Sequence, residues 1–112
     1  MNDTKISIVV PTLNEEPYVE GLIHTFLSSC PQPSELFFAD AGSSDATVEI
    51  VRKWCGLYPN IKLVVNERRY VSNAFNTCYQ QSTGKYLALL GAHSKYPPEF
   101  FKVAYDTLER DE

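Results

Sequence analysis

The sequence predicts an α/β fold in which helices cover a parallel β-sheet. Short runs of β-branched and aromatic residues alternate with longer segments whose apolar residues recur at helical spacing. The short runs are continuously apolar, as strands buried on both faces require. Regular alternation of strands and helices is typical of parallel sheets with right-handed crossovers. The chain of 112 residues is long enough for one small domain with one core.

The predicted elements follow one another in the order β-α-β-α-β-α-β-α. The predicted strands are residues 6–10, 35–40, 61–65 and 86–90. The predicted helices are residues 17–29, 47–57, 72–81 and a last helix opened by the prolines at 97 and 98. Pro11 ends the first strand, and Pro17 lies in the first turn of the first helix. Asp45 lies at or near the N-cap of the second helix, and Gly84 closes the third.

Composition and charge exclude several classes of protein. A hydrophobic content of 44%, a charged content of 21% and a net charge of −4 are ordinary for a soluble globular domain. Lysine and arginine form no basic stripe, which argues against a nucleic-acid partner. The polar start of the chain is not typical of a signal peptide, and no apolar stretch is long enough to span a bilayer. We therefore expect a cytoplasmic location.

The three cysteines are widely spaced at Cys30, Cys55 and Cys78. An odd number at this spacing does not suggest a zinc knuckle, a redox pair or a disulfide framework. The pattern predicts buried free thiols in a reducing compartment.

Polar residues follow the predicted strands, at residues 11–16, 40–45, 66–70 and 91–94. Because the carboxyl ends of parallel strands meet at one edge, where α/β sheets bind ligands, these segments predict a polar crevice. The five glycines form neither a dinucleotide-binding fingerprint nor a phosphate-binding loop. Any nucleotide bound in this crevice would therefore be held differently, by carboxylate contacts with or without a bridging metal ion.

These segments, in this order, resemble the signature of family 2 glycosyltransferases. The family pattern is roughly P-x-x-N-E followed by D-D/A-G-S-x-D-x-T. Residues 11–15 read PTLNE and residues 40–47 read DAGSSDAT. Residues 66–84 resemble the next block of the family, and residues 70–76 and 92–98 resemble a succinoglycan-type subgroup that acts in exopolysaccharide assembly. The four blocks cover nearly the whole chain.

The resemblance implies the GT-A fold, a Rossmann-like three-layer α/β/α fold of nucleotide-diphospho-sugar transferases. Residues 1–112 are expected to form a single truncated domain, the N-terminal half of that fold. The implied activity is inverting transfer of a sugar from a UDP-sugar to a glycan or lipid-linked acceptor in polysaccharide biosynthesis. The catalytic base is expected beyond Glu112, and the full-length protein at the inner face of the bacterial membrane. The alternatives are a nucleotide-sugar-binding module without turnover and an unrelated flavodoxin-like domain, against which the order of the blocks argues.

The resemblance also implies a set of nucleotide-binding residues. They are Pro11, Thr12, Leu13, Glu15, Asp40, Gly42, Arg69, Ser72 and Gly91. Asp40 resembles the aspartate that accepts a hydrogen bond from N3–H of uracil, which cytosine lacks and thymine shares, so dTDP stays open. The alternatives are a strand-end Asx turn for Asp40, a first-turn acid for Glu15, a helix cap for Ser72 and a solvated charge for Arg69.

The segment after the fourth strand departs from the family pattern. The family usually has Asp-x-Asp there and the succinoglycan-type subgroup Asp-Ala-His, whereas this chain has Gly91, Ala92 and His93. The resemblance implies Mn²⁺ or Mg²⁺ bridging the diphosphate, with His93 as the remaining candidate ligand. A single imidazole is a weak site for a hard cation, so metal affinity is expected to be low. Capping or packing is the alternative role for His93.

A half sheet of four strands is also expected to expose apolar surface where the second half of the fold would dock. From this we expect the chain to self-associate.

Overall fold

The computed structural model describes residues 4–65, 71–93, 96–97 and 99–110. Its strands are β1 (Ile6–Thr12), β2 (Glu35–Asp40), β3 (Ile61–Val65) and β4 (Tyr86–Leu89). Its helices are α1 (Glu16–Ser29), α2 (Thr47–Leu57), α3 (Val71–Gln81) and α4 (Phe100–Arg110). The strands are all parallel and lie in the order β3-β2-β1-β4. The predicted α/β class and parallel sheet are confirmed.

The sheet is covered on both faces, but unequally. On one face the apolar core joins the sheet to α1, α2 and α4, and its largest fully buried side chains include Phe26, Phe38 and Phe101. On the other face a smaller cluster joins Phe37 to Cys78 of α3. The two central strands therefore have apolar neighbours on both sides, which explains their continuous apolar runs.

The first strand is longer than predicted, because Pro11 does not end it. Pro11 pairs with Ala39 of β2, and β1 continues to Thr12. Val9 accepts a backbone hydrogen bond from Leu90 on the β4 side, whereas Thr12 accepts one from Ala41 on the β2 side. By alternation Pro11 faces the β4 side, where β4 has already ended, so its missing N–H costs no ladder bond.

Gly84 does not close the third helix, which ends at Gln81. It lies where the chain passes against β1, and its N–H donates to the Ser7 hydroxyl over 2.8 Å. A Cβ at this position would lie 2.5 Å from the Ser7 backbone nitrogen. The glycine is needed for this close approach and not for a helix cap.

The other differences are at element ends. The first and third helices begin one residue earlier than predicted, at Glu16 and Val71, and the fourth strand ends one residue earlier, at Leu89. The last helix begins at Phe100, after the two prolines that were expected to open it.

The three cysteines are free, as predicted. Cys30 and Cys78 are buried, and Cys55 is half-buried. Burial raises the pKa of the Cys30 and Cys78 thiols to about 11, which makes them poor nucleophiles.

The β4–α4 side of the domain exposes apolar side chains. Leu89 is 43% exposed and Val103 is 55% exposed. The expected self-association stays a prediction for which this surface is the candidate. Within the described residues no helix is long and apolar enough to cross a membrane.

Candidate functional site

The carboxylate of Asp40, at the end of β2, is surrounded by hydrogen-bond donors. Oδ1 accepts from the Thr12 hydroxyl (2.8 Å) and the Ser43 hydroxyl (2.6 Å). Oδ2 accepts from the backbone N–H groups of Gly42 (2.9 Å) and Ser43 (2.8 Å). The residue is 6% exposed. The Asx turn that was the alternative role of Asp40 is therefore present, closed by the N–H of Gly42, and Gly42 itself has a φ of 100° that favours glycine.

These donors keep the carboxylate ionised. Burial by itself raises the pKa of Asp40, but the hydrogen bonds from Ser43, Thr12 and Gly42 outweigh it and hold the pKa below its ordinary value. Asp40 is consequently an acceptor-only group at neutral pH. Neither the role of Ser43 nor the pairing of Thr12 with Asp40 was predicted from the sequence.

Asp45 lies one residue before the N-cap of α2, which is Ala46. Its carboxylate accepts from the N–H of Thr47 (3.0 Å), the first helical residue, and from the N–H of Glu16 (3.2 Å) in α1. Hydrogen bonds, led by that of the Thr47 hydroxyl, hold its pKa below the ordinary value. Asp45 thus accepts hydrogen bonds from the N-terminal backbone of α2, as expected, and also from that of α1.

Glu15 and His93 meet across the carboxyl edge of the sheet. Glu15 follows β1 and His93 follows β4, and Oε1 of the glutamate lies 2.6 Å from Nδ1 of the imidazole. The Glu15 side chain is 12% exposed and the His93 side chain 68%. The ring of Tyr18 lies 5.3 Å from the imidazole, centroid to centroid. The imidazole is therefore oriented by a carboxylate on one nitrogen and by an aromatic ring, yet remains open to ligands.

A cleft of about 360 Å³ lies at this edge, between the ends of β1 and β4. Its lining residues are Pro11, Glu15, Leu89, Leu90, Gly91, Ala92 and His93. Four of the predicted site residues, counting His93, are therefore brought together here. Gly91 also accepts a hydrogen bond through its carbonyl from the Tyr96 hydroxyl (2.9 Å).

The remaining predicted residues are placed differently. The Thr12 side chain points inward to Asp40 and is 2% exposed, whereas Leu13 is 45% exposed. Ser72 lies in the first turn of α3, and only its backbone is described. Arg69 lies outside the described residues.

The described residues do not by themselves fit a resident metal ion. Among them there is no group of three His, Cys, Asp or Glu side chains that could hold one. Glu15 and His93 offer only two side chains that could bind a metal ion, and these two side chains are hydrogen-bonded to each other. A hard divalent cation takes about six oxygen ligands, so most would have to come from a bound ligand and water.

Comparison with known proteins agrees with this fold and with the motifs at the strand ends. The sequence profile described as "Glycosyl transferase family 2" matches residues 7–112. The chain is 30% identical over 109 residues to a dolichyl N-acetyl-α-D-glucosaminyl phosphate 3-β-D-2,3-diacetamido-2,3-dideoxy-β-D-glucuronosyltransferase of Methanococcus voltae, covering 94% of this chain and 34% of that protein. It is 32% identical over 103 residues to the succinoglycan biosynthesis protein ExoA of Rhizobium meliloti, covering 89% of this chain and 31% of that protein.

Solved structures show the same architecture. TarS 1–349 of S. aureus superimposes with a TM-score of 0.81 at 24% identity, over 96% of this chain and 33% of that one. The mannosyltransferase PcManGT of Pyrobaculum calidifontis gives a TM-score of 0.76 at 24% identity, over 97% and 35%. The expected GT-A fold is thereby confirmed. The chain spans about a third of the length of these two curated relatives, and it belongs to glycosyl transferase family 2.

Proposed function

We propose that this chain is the nucleotide-binding part of an inverting glycosyltransferase whose donor is a UDP-sugar. The observation that carries the proposal is the cleft at the ends of β1 and β4, where Glu15 and His93 are in contact. Such an edge is where α/β sheets bind nucleotides. The sugar acceptor is a glycan or a lipid-linked sugar, in the biosynthesis of a polysaccharide.

Asp40 selects the base in this proposal. Of its two oxygens, Oδ2 is held by backbone N–H groups that cannot turn away, whereas Oδ1 is held by the hydroxyls of Thr12 and Ser43. A hydroxyl rotates freely, so Oδ1 is the oxygen that can accept the uracil N3–H. TarS has been solved with UDP and PcManGT with a GDP-sugar, so the fold accommodates different bases and the preference depends on such local contacts.

The diphosphate would lie toward His93, with Arg69, Ser72 and Gly91 as further predicted contacts. PcManGT and a glucosyl-3-phosphoglycerate synthase of Mycobacterium tuberculosis hold Mn²⁺ in their complexes. In this chain we propose that Mn²⁺ or Mg²⁺ contributes weakly, because Gly91 offers no carboxylate and His93 already contacts Glu15. When bound, the cation would neutralise charge on the diphosphate.

The acceptor class is supported by the names of the relatives. One, from Proteus mirabilis, is an undecaprenyl-phosphate 4-deoxy-4-formamido-L-arabinose transferase, and another is the succinoglycan biosynthesis protein ExoA. Lipid-linked acceptors would place the full-length protein at the inner face of the bacterial membrane. The catalytic base is proposed to lie beyond Glu112.

A second candidate function is nucleotide-sugar binding without turnover. The observation that favours it is Gly91, which lies in the cleft where the family pattern has an acid. Both candidate functions require that the chain binds a nucleotide-sugar, so one titration with nucleotide tests this shared requirement.

Calorimetric titration with UDP and CDP, with and without Mn²⁺, tests the proposal. We expect UDP to bind in the millimolar range or tighter and CDP to bind more weakly, because cytosine N3 carries no hydrogen. Mn²⁺ should strengthen UDP binding by less than about tenfold, roughly 1.4 kcal/mol. No binding of UDP at millimolar concentration in either condition would contradict the proposal.

Replacement of Asp40 by Asn adds a test of the base contact. We expect UDP affinity to fall toward that of CDP. The matched control is Asp106→Asn, which removes the same charge from an exposed position on α4 where Asp106 pairs with Lys102. Equal losses in the two variants would show that the effect is one of net charge and not of base recognition.

A further inference from the structure

Two loops at the carboxyl edge are joined by a set of reciprocal hydrogen bonds, which we call the loop clasp. It consists of residues 14–16, which run from the loop after β1 into the first residue of α1, and residues 43–47, which run from the loop after β2 into the first residue of α2. The N–H of Glu15 donates to the Thr47 hydroxyl (2.9 Å), and the N–H of Glu16 donates to Asp45 (3.2 Å). In return, the N–H of Ala46 donates to Oε1 of Glu16 (2.9 Å). Both helices therefore begin from one shared structure.

Asn14 is the residue on which the clasp converges. Its Oδ1 accepts from the N–H of Ser44 (2.8 Å) and from two weaker donors at 3.3 Å, the Ser44 hydroxyl and the N–H of Asp45. Its own N–H donates to the Ser43 hydroxyl (2.9 Å). Its φ is 55°, the left-handed region that asparagine tolerates better than most residues do. Among the described residues it is the only non-glycine residue with a positive φ.

The backbone turn at Asn14 decides where the next residue points. Glu15 is fixed through its N–H to Thr47, and its carboxylate then reaches His93 at 2.6 Å. The left-handed φ of Asn14 sets the direction in which the chain leaves β1 toward Glu15. Asn14 itself is exposed and does not line the cleft.

We propose that Asn14 is a positioning residue that, through the loop clasp, orients Glu15 against His93 and so shapes the cleft. The effect of Asn14 on nucleotide binding rests on the function proposed above. The effect of Asn14 on the Glu15–His93 contact is independent of that function. Because its hydrogen bonds are exposed to solvent, their loss alters orientation more than global stability.

Three variants separate the backbone turn from the side-chain acceptor. Asn14→Gly keeps the left-handed φ and removes Oδ1, Asn14→Asp keeps both, and Asn14→Ala removes both. The control is Asn60→Ala, since the Asn60 amide also bridges loops, donating to the Ser34 carbonyl (2.8 Å) at the opposite edge of the sheet.

The first measurement is the ¹⁵N resonance pair of the His93 imidazole at one fixed pH. The chain has two histidines, so His24, which packs against Trp54, is an internal reference. The His93 ¹⁵N chemical shift in Glu15→Gln gives the reference value for a broken Glu15–His93 contact. We expect Asn14→Gly and Asn14→Ala to move the His93 signal toward that value, Asn14→Asp to restore it, and Asn60→Ala to leave it in place. A His93 signal unchanged in Asn14→Ala would overturn the proposal, whatever the thermal midpoint does.

The second measurement is UDP affinity well below each variant's thermal midpoint. Loss of the acceptor should weaken binding by about fivefold to tenfold, the size expected for one or two hydrogen bonds. Normal UDP affinity in Asn14→Gly, together with a displaced His93 signal, would overturn the link from orientation to cleft shape. If the wild-type chain binds no UDP but the His93 signal responds as expected, the proposed function fails and the positioning role stands.

Discussion

The two ends of β2 each carry a buried carboxylate, and the two are stabilised differently. Glu35 begins the strand and is 4% exposed, and Asp40 ends it and is 6% exposed. Glu35 accepts from the Ser7 hydroxyl (2.7 Å) and the N–H of Thr83 (2.6 Å), and pairs with Lys62 at 3.1 Å. Asp40 accepts four hydrogen bonds, all from neutral donors.

The difference lies in whether a cation compensates the buried negative charge. At the amino edge the charge of Glu35 is compensated by Lys62, and Gly84 packs against Ser7, so the site is closed. At the carboxyl edge none of the described contacts of Asp40 is with a cation, so no described side chain compensates its negative charge.

Replacing Gly84 with Ala should give the largest effect, because it overfills the closed edge. The new Cβ would lie 2.5 Å from backbone and side-chain atoms of Ser7. We expect the free energy of unfolding to fall by about 3 kcal/mol, measured by urea denaturation. Gly21→Ala is the control, because a Cβ at that position would have no neighbour within 4 Å and alanine favours a helix. Similar losses in both variants would show that the approach of Gly84 to Ser7 is not tight.

Acidification compares the two carboxylates directly. Burial by itself raises the pKa of Glu35. Hydrogen bonds from Ser7 and Thr83 and the pairing with Lys62 lower it by more than burial raises it, so the net shift is downward, as it is for Asp40. A lowered folded-state pKa stabilises the protein above the unfolded-state pKa, and this contribution is lost as the pH falls through the folded-state pKa.

We therefore expect the unfolding free energy to fall below about pH 4, and to fall less in Glu35→Gln. At neutral pH that variant should lose about 2 kcal/mol, because it removes the partner of Lys62. Urea denaturation across the acid range measures both, with exposed Glu99→Gln as the control. If the unfolding free energy of Glu35→Gln fell with pH as steeply as that of the wild type, Glu35 would not be the cause of the acid destabilisation.

The smallest effect is expected for Thr12→Val, which removes one hydroxyl donor from Asp40 and keeps a β-branched side chain in the strand. Stability should fall by about 1 kcal/mol. UDP affinity should be kept or improved, because Oδ1 loses a competing donor. A loss of UDP binding as large as that of Asp40→Asn would instead show that Thr12 contacts the nucleotide itself.

The fold could be predicted because its signals are local. Strand runs and helical spacing located all eight elements, and the bounds of β2, α2 and β3 agree with the structure. The prediction for Gly84 was wrong, because a glycine that caps a helix and a glycine that permits close packing look alike in a single sequence. The prediction that Pro11 ends β1 was also wrong, because Pro11 faces the β4 side and β4 ends before it could pair there, which a single sequence does not reveal.

The candidate site was less predictable because its contacts join distant parts of the chain. Asp40 and Glu15 could be singled out by their positions after strands, and His93 by its motif. Their partners could not, since the Glu15–His93 contact spans 78 residues and the bonds of Asn14 to Ser44 span 30. Only the folded sheet brings these segments together.

The place of β1 in the sheet has a consequence for how the chain is made. β1 is synthesised first, yet it lies between β2 and β4, and its partner for Ile6 is Tyr86. On the ribosome, β2 and β3 can associate while β1 still lacks its second neighbour. The four-stranded sheet is completed only after residues 86–89 have emerged, a slow, non-local closure. Nascent chains stalled before Tyr86 would therefore present an open β1 edge, which is a template for wrong strand pairing.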